Sequence, residues 1–307
     1  MYTIASGANH GLRYIEETTP GTTPVSPRMV ELNHNSCSLT LSRDTFTANA
    51  LRPDRQIPFH RTGVDKVSGD VAFDLVSGEY DPFLQAALAG NWNENVLDAG
   101  TAVHAFTLER AFKNIGQYAT YTGCFVNQLS LSIKPNEMIT GMFSFVGLSG
   151  GKGKTPLSAS PTPAPEGDPF DSFRGALKVN ETEIAVVTGI DLTLNNGIEP
   201  QYALFSRSAK AVSWGRSTLS GTLSAFYVDG NIPDMFINDT RVKLEFTLER
   251  GEYSYTFLIP NITLTGAEDS AQSEGPITLS VPWSAALDAT IGTNFRITRT
   301  VPEVDEP

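Results

Sequence analysis

The chain has 307 residues, 26 Gly and 19 Pro spread along its length, and a formal net charge of −12. That length is enough for two cored domains. The acidic balance argues against a nucleic-acid binder, since DNA binding works by neutralising phosphates with Lys and Arg, and the plainest reading of the charge is that it keeps the protein soluble.

In chain order, residues 1–17 carry no basic region followed by an apolar run, so no secretory signal is expected, and no apolar stretch approaches a membrane span. The expectation is a chain made and kept in a cytoplasm. Residues 1–27 read as an N-terminal arm. Cys37-Ser38-Leu39-Thr40-Leu41 then alternates as a half-buried strand should. A long polar loop follows, then Val67-Ser68-Gly69-Asp70-Val71-Ala72-Phe73, which alternates again. Next comes a short helix, with Asp81 as cap, Pro82 at the first helical position, an apolar stripe of Phe83, Leu84, Ala87 and Leu88, and Gly90 ending it. A strand Phe106-Thr107-Leu108-Glu109-Arg110 leads to a hairpin pairing Leu129, Leu131 and Ile133 with Ile139 to Phe145 across Lys134–Glu137. Residues 149–171, rich in Gly, Pro, Ser and Ala, read as a linker.

The order then repeats. Ala176 to Val187 reads as an opening hairpin with Asn180-Glu181 at its turn. Ile190-Asp191-Leu192-Thr193-Leu194 matches residues 37–41, and Leu219-Ser220-Gly221-Thr222-Leu223-Ser224-Ala225-Phe226 matches residues 67–73. A short helix between Asn231 and Asn238 follows, then Phe246-Thr247-Leu248-Glu249-Arg250 repeats residues 106–110. The final hairpin pairs Ile262 and Leu264 with Ile277, Leu279 and Val281 across a looser Gly266–Gly275 turn. A shared order of five features marks a duplication. The expected organisation is an arm (1–27), an all-β domain (28–148), a linker (149–171), a second all-β domain (172–296) and an acidic tail (297–307), with each domain an antiparallel sandwich or open barrel that leaves sticky sheet edges.

Three further pieces point to a family. Tyr14-Ile15-Glu16-Glu17 before Gly21-Thr22-Thr23-Pro24, the run Ser42 to Phe73 with Arg52 and Arg55, and the helix start Glu79-Tyr80-Asp81-Pro82-Phe83-Leu84 together resemble the major tail tube proteins of phages with long non-contractile tails. The resemblance implies two tandem tail-tube-type β-sandwich domains with short helices. It implies rings whose inner strands join into one barrel, stacked through a long loop and the arm, forming a conduit for DNA and the tape measure protein. Its family's rings present six equivalent domains, so a duplicated chain is expected to close a ring of three copies with pseudo-six-fold symmetry; six copies, with one domain outside, is the alternative.

The candidate assembly residues are Tyr14 and Glu17 in the arm, Arg43, Arg52, Arg55 and Arg61 in the first long loop, and Arg207, Lys210 and Arg216 in the second. Residues 43–66 carry five cations against three acids, and 196–217 three against one, so each loop is positive on an acidic body. Charges of this kind steer encounters and fix register; the ordinary alternative is a pair of solvated loops. Asp70, Asp74 and Glu79 are lumen candidates, a solvated outer face being the equal alternative.

No enzyme class is supported. His10, His34, His60 and His104 show no metal-ligand spacing, and with Cys37 and Cys124 they make no recognisable zinc pattern. There is no Gly-x-Ser-x-Gly elbow. Gly147 to Lys154 has Leu148 where a phosphate loop needs Gly, and Pro156 follows. The carboxylate pairs Glu16-Glu17 and Glu268-Asp269 fall in arm and turn segments. No cofactor is expected. Two cysteines make no disulfide framework, a reduced setting being the simpler reading. The runner-up function is a carbohydrate-binding or adhesion β-protein of the virion surface.

Overall fold

The computed structural model describes residues 3–183, 186–270 and 274–301. The first half contains β1 (His10–Glu16), β2 (Val30–Leu32), β3 (Ser36–Cys37), β4 (Thr40–Thr47) and β5 (His60–Asp74), then helix α1 (Asp81–Leu88). After it come β6 (Trp92–Asn93), β7 (Val96–Asp98), β8 (Phe106–Phe112), β9 (Gln117–Ile133), β10 (Thr140–Gly147) and β11 (Ser149–Gly153). The second half contains β12 (Gly175–Val179), β13 (Thr182–Glu183), β14 (Val187–Asn195), β15 (Glu199–Gln201), β16 (Ala211–Ser213) and β17 (Thr218–Phe226), then α2 (Asn231–Ile237). It ends with β18 (Val242–Arg250), β19 (Tyr253–Leu264), β20 (Glu268–Ser270), β21 (Thr278–Ala285) and β22 (Arg296–Thr300).

The duplication holds at the level of pairing. In the first half β4 pairs β5, β5 pairs β10, β10 pairs β9, and β9 pairs β8 and β11. In the second, β14 pairs β17, β17 pairs β21, β21 pairs β19, and β19 pairs β18 and β22. The register agrees as well. Thr40 faces Ser68 as Thr193 faces Ser220, and Leu41 faces Val67 as Leu194 faces Leu219. The shared Ser-Gly step has a steric reason: a Cβ on Gly69 would sit 2.4 Å from the Leu39 backbone, and one on Gly221 would sit 2.2 Å from the Asp191 carbonyl.

Each half is a two-layer sandwich, and one long strand serves both layers. β9 pairs β8 and β11 over residues 117–124 and β10 over 125–132. It turns from one sheet to the other at Gly123, which has φ +61°. The apolar sides meet in a core of Phe73, Tyr80, Phe83, Phe106, Phe143 and Phe145 in the first half and Phe246, Tyr255, Phe257, Trp283 and Phe295 in the second.

Five expectations change. The stretch expected as an arm supplies β1, which pairs β8 over seven residues and buries Leu12 and Arg13. It is the counterpart of β12, which pairs β18, so both halves open with the same strand. The linker is packed rather than free. Its start is β11, Thr162 bridges to Val30, and Phe170 is fully buried against Tyr255 with ring centroids 5.5 Å apart. Ile297, placed in the tail, is buried in β22, which joins β19 to β7 of the first half; residues 302–307 lie outside the described residues. Asp81 does not cap α1: Tyr80 is the N-cap, Ala89 rather than Gly90 takes the left-handed C-terminal position, and the Asp81 carboxylate is bound by Tyr255 and Arg299. The looser turn of the last hairpin contains β20, paired to β21.

The two halves share a sheet. β14 docks on β9 in antiparallel register, Ile190 opposite Ile133, Leu192 opposite Leu131 and Leu194 opposite Leu129. This joins eight strands in the order β4-β5-β10-β9-β14-β17-β21-β20.

Candidate assembly site

The shared sheet has one apolar face and one polar face, because side chains alternate. Val67, Val71 and Phe73 of β5 point into the core, and Leu192 and Leu194 of β14 do the same. The intervening positions are hydroxyls, amides and acids that are partly or fully accessible: Ser68, Asp70 and Asp74 on β5, Gln128, Ser130 and Ser132 on β9, Asp191 and Thr193 on β14, Ser220 and Thr222 on β17. They bond to one another along the face. Ser144 Oγ donates to Asp70 at 2.6 Å, Ser132 Oγ to Asp191 at 2.6 Å, and Ser130 and Thr193 hydroxyls meet at 3.3 Å across the seam between halves. Lys66, near the middle of β5, is paired to Asp44 at 2.6 Å. Of the lumen candidates, Asp70 and Asp74 stand on this face. Glu79 does not: it is buried, with its carboxylate accepting from the Asn33 amide at 2.7 Å, and burial raises its pKa.

The two long loops come together at one end of this sheet. The β4–β5 hairpin projects, and the segment holding β15 and β16 folds back on its base. The Asp65 amide donates to the Arg207 carbonyl at 2.8 Å, and Tyr202 Oη donates to the Asp65 carbonyl at 2.9 Å. The loop cations divide. Arg43 pairs with Asp65 at 2.5 Å and Arg52 with Asp54 at 2.6 Å, so the first loop neutralises part of its own charge. Arg55, at φ +60°, Arg61, Arg207, Lys210 and Arg216 are exposed and make no ion pair among the described residues. The hairpin also exposes large apolar side chains, Phe46, Leu51, Ile57 and Phe59, and the folded-back loop exposes Leu204 and Phe205. Charge counting missed this; the cue in the sequence is four large apolar residues inside a polar loop.

Glu17 is buried and Tyr14 is partly buried against the core. Tyr14 packs edge-on to Phe83, centroids 4.8 Å apart, and burial raises its hydroxyl pKa. The Glu17 carboxylate accepts from the Thr107 hydroxyl at 2.6 Å and from the Gly123 amide at 2.9 Å, which holds the bend of β9. Glu17→Ala strands these donors and is expected to destabilise the fold by about 3 kcal/mol, read as a fall in urea midpoint at unchanged m-value, with Glu17→Gln recovering part. Deleting residues 1–24 removes β1 and is expected to abolish soluble expression rather than spare the cores.

His10, His34 and His104 are held in hydrogen-bonded packing, and His60 is exposed on β5. Arg110 Nε donates to His10 Nε2 at 3.0 Å, His10 and His34 share a hydrogen bond of 2.7 Å, and His34 Nδ1 reaches the Leu32 carbonyl at 3.2 Å. Burial above all, then the Arg110 and His34 charges, lowers the His10 pKa to about 4; Cys37 and Arg110 line the same hollow. A free histidine titrates near 6.5, so the stability gained from neutral His10 is complete above pH 6.5 and is lost as pH falls toward 4. Because the ring is half exposed the loss is about 1 kcal/mol. His10→Gln is expected to flatten this slope in urea titrations at stepped pH. His104 bonds Glu16 at 2.7 Å and the Gly90 carbonyl at 2.8 Å.

Among the described residues no group of three or more His, Cys, Asp or Glu could hold a metal ion. Cys37 and Cys124 are free thiols, both raised in pKa by burial. An open cleft of about 330 Å³ beside the β9–β14 seam is lined by Ile133, Pro135, Phe173, Leu177 and Phe246, among others, and by no carboxylate. Of the carboxylate pairs, Glu17 is buried in its own hydrogen bonds.

A duplicated sandwich with a shared sheet, a hydroxyl-lined face, open strand edges and a projecting apolar hairpin defines a protein built to join copies of itself. The sequence of residues 7–285 matches the family described as phage tail tube protein, and the chain belongs to that family. It is thus a structural component of a phage tail. No curated protein matches the chain.

Proposed function

We propose that the chain polymerises into stacked rings of three copies, whose shared sheets close one barrel that conducts DNA and houses the tape measure protein. The observation that carries this is the single eight-strand sheet spanning both halves. Three such sheets make twenty-four strands. At about 4.8 Å per strand and about 40° tilt the barrel is roughly 50 Å across between backbones, a bore that admits a DNA duplex; six copies with the whole shared sheet in the wall would give about twice that, and six with one domain outside would have to break the β9–β14 seam. The polar face is the wall. The hydroxyls of Ser130, Ser132, Ser144 and Thr193 are satisfied by neighbours on the sheet, and Asp70, Asp74 and Asp191 repel phosphate, so DNA slides without specific binding. Ring stacking falls to the loop cluster, with apolar tips supplying affinity and the unpaired cations supplying steering. Activity is assembly and passive conduction, with no bond made or broken.

Purified protein at high concentration, viewed by negative stain and then by cryo-EM, is expected to show tubes with three chains per ring. Six chains per ring would overturn the stoichiometry. Absence of polymers together with glycan binding would favour the adhesion reading.

A further inference from the structure

The seam between the two halves contains a second piece of information: it is a template for the seam between copies. Each half has the same strands in the same register, so each junction position has a counterpart. β14, which docks on β9 inside the chain, corresponds to β4; Thr193 and Leu194 correspond to Thr40 and Leu41. The docking stretch of β9, Gln128–Ile133, corresponds to the chain running into β20. This follows through the hairpin partner: Ser130 faces Met142 and Glu268 faces Ser280, while Met142 and Ser280 occupy equal places opposite Ala72 and Ser224. Inside the chain these two edges are paired. At the outer ends, among the described residues, β4 pairs only β5 and β20 pairs only β21.

The open edges bear the mark of a missing partner. Leu194 is buried, whereas Leu41, in the same place on β4, is partly accessible. The charges of β4, Arg43 and Asp44, and its register irregularity lie beyond Ser42. Thr40–Ser42 is left as a regular, uncharged stretch of edge, and such stretches template pairing.

We infer that β4 of one copy adds to β20 of the next in the register of the internal seam, with Thr40 opposite Glu268, Leu41 opposite Ala267 and Ser42 opposite Gly266. The pairing starts at Thr40, because the Leu39 carbonyl is occupied by Arg110 Nη1 at 2.6 Å and Tyr121 Oη at 3.0 Å. The two seams differ in strength. The internal one aligns Ile133, Leu131 and Leu129 with Ile190, Leu192 and Leu194; the one between copies offers Thr40, Leu41 and Ser42 to Gly266 and Ala267. Isolated copies therefore stay apart in dilute solution, and ring closure becomes favourable at high concentration, where stacking of ring on ring adds its own contacts. This inference rests on the chain being a ring-forming tube subunit.

The test is crosslinking in assembled tubes on a Cys37→Ser background, Cys124 being buried. Leu41→Cys with Ala267→Cys is expected to give oxidised dimers and trimers, at least tenfold more than Arg43→Cys with Ala267→Cys, which samples a two-residue slip. Thr40→Cys with Glu268→Cys reads the same register independently, should the Leu41 variant fold poorly. Tubes that form but crosslink best through the slipped pair, or through neither matched pair, overturn the seam and leave the tube reading standing. Absence of rings and tubes from the unmodified protein overturns both. Closed trimers accumulating in dilute solution without tubes would overturn the weak-seam part alone.

Discussion

Asp81→Ala is expected to lower stability by about 3–5 kcal/mol, the cost of breaking a buried ion pair from one side, and to split a single unfolding transition into two. Asp81 opens α1 in the first half and is buried. Its two oxygens are taken by Tyr255 Oη of β19 and Arg299 Nη1 of β22, both from the second half. Arg299 lies over the Trp92 ring at 4.4 Å, and the neighbouring Arg296 forms a two-pronged pair with Asp98 at 2.6 and 2.8 Å. These contacts, with the β22–β7 pairing, tie the halves on the side away from the β9–β14 seam. Removing the carboxylate leaves the Arg299 charge and the Tyr255 hydroxyl without their partner at once. Urea unfolding followed by far-UV dichroism reads the midpoint and the number of transitions. Tyr255→Phe, which removes one bond and keeps the ion pair, is expected to cost about 1 kcal/mol. A single transition with an unchanged midpoint in Asp81→Ala would contradict this account of how the halves are joined.

The second large effect is on assembly. Replacing Leu51, Ile57 and Phe59 together by Ser is expected to leave the urea midpoint unchanged, since all three are exposed. It is expected to raise the concentration needed for tube formation at least a hundredfold. Full burial of each such side chain at a contact is worth about 1.5–3 kcal/mol, so losing three removes far more than the roughly 2.7 kcal/mol that a hundredfold change requires. Arg52→Glu with Arg55→Glu is expected to do less, because Arg52 already spends its charge on Asp54 inside the loop. Sedimentation across a concentration series, with micrographs of the pellets, measures both. Equal tube formation by the Ser variant would remove the hairpin tip from the stacking contact.

The duplication was legible down to register, because both copies keep the alternation that a half-buried strand needs: Cys37 to Leu41 against Ile190 to Leu194, with a Ser-Gly step after each. The segments outside that alternation were not. β1 reads His-Gly-Leu-Arg-Tyr-Ile-Glu, and its Arg13 looks like a surface residue until Glu109, 96 positions away, is seen bonded to it at 3.0 Å in the interior. The linker hides one deeply buried aromatic, Phe170, among prolines and serines. Glu17 takes its meaning from Thr107 and Gly123, which no local pattern could connect to it. Charge totals singled out both loops but did not show that they meet, and they misjudged the chemistry, because Arg43 and Arg52 find acids within the same hairpin.

The unequal loops have a consequence for the geometry of a tube. The β4–β5 hairpin projects, while its counterpart between β14 and β17 is folded against it. A ring of three such chains therefore presents a long tip and a tucked one in alternation around its rim. Two rings related by a sixth of a turn would set every long tip over the wrong neighbour, whereas a third of a turn restores the match. In the proposed three-chain ring, duplicating the domain within one chain would thus limit the azimuthal phase of successive rings to three equivalent settings instead of six, so that twist, once started at one end of the tail, would be passed along its length without ambiguity.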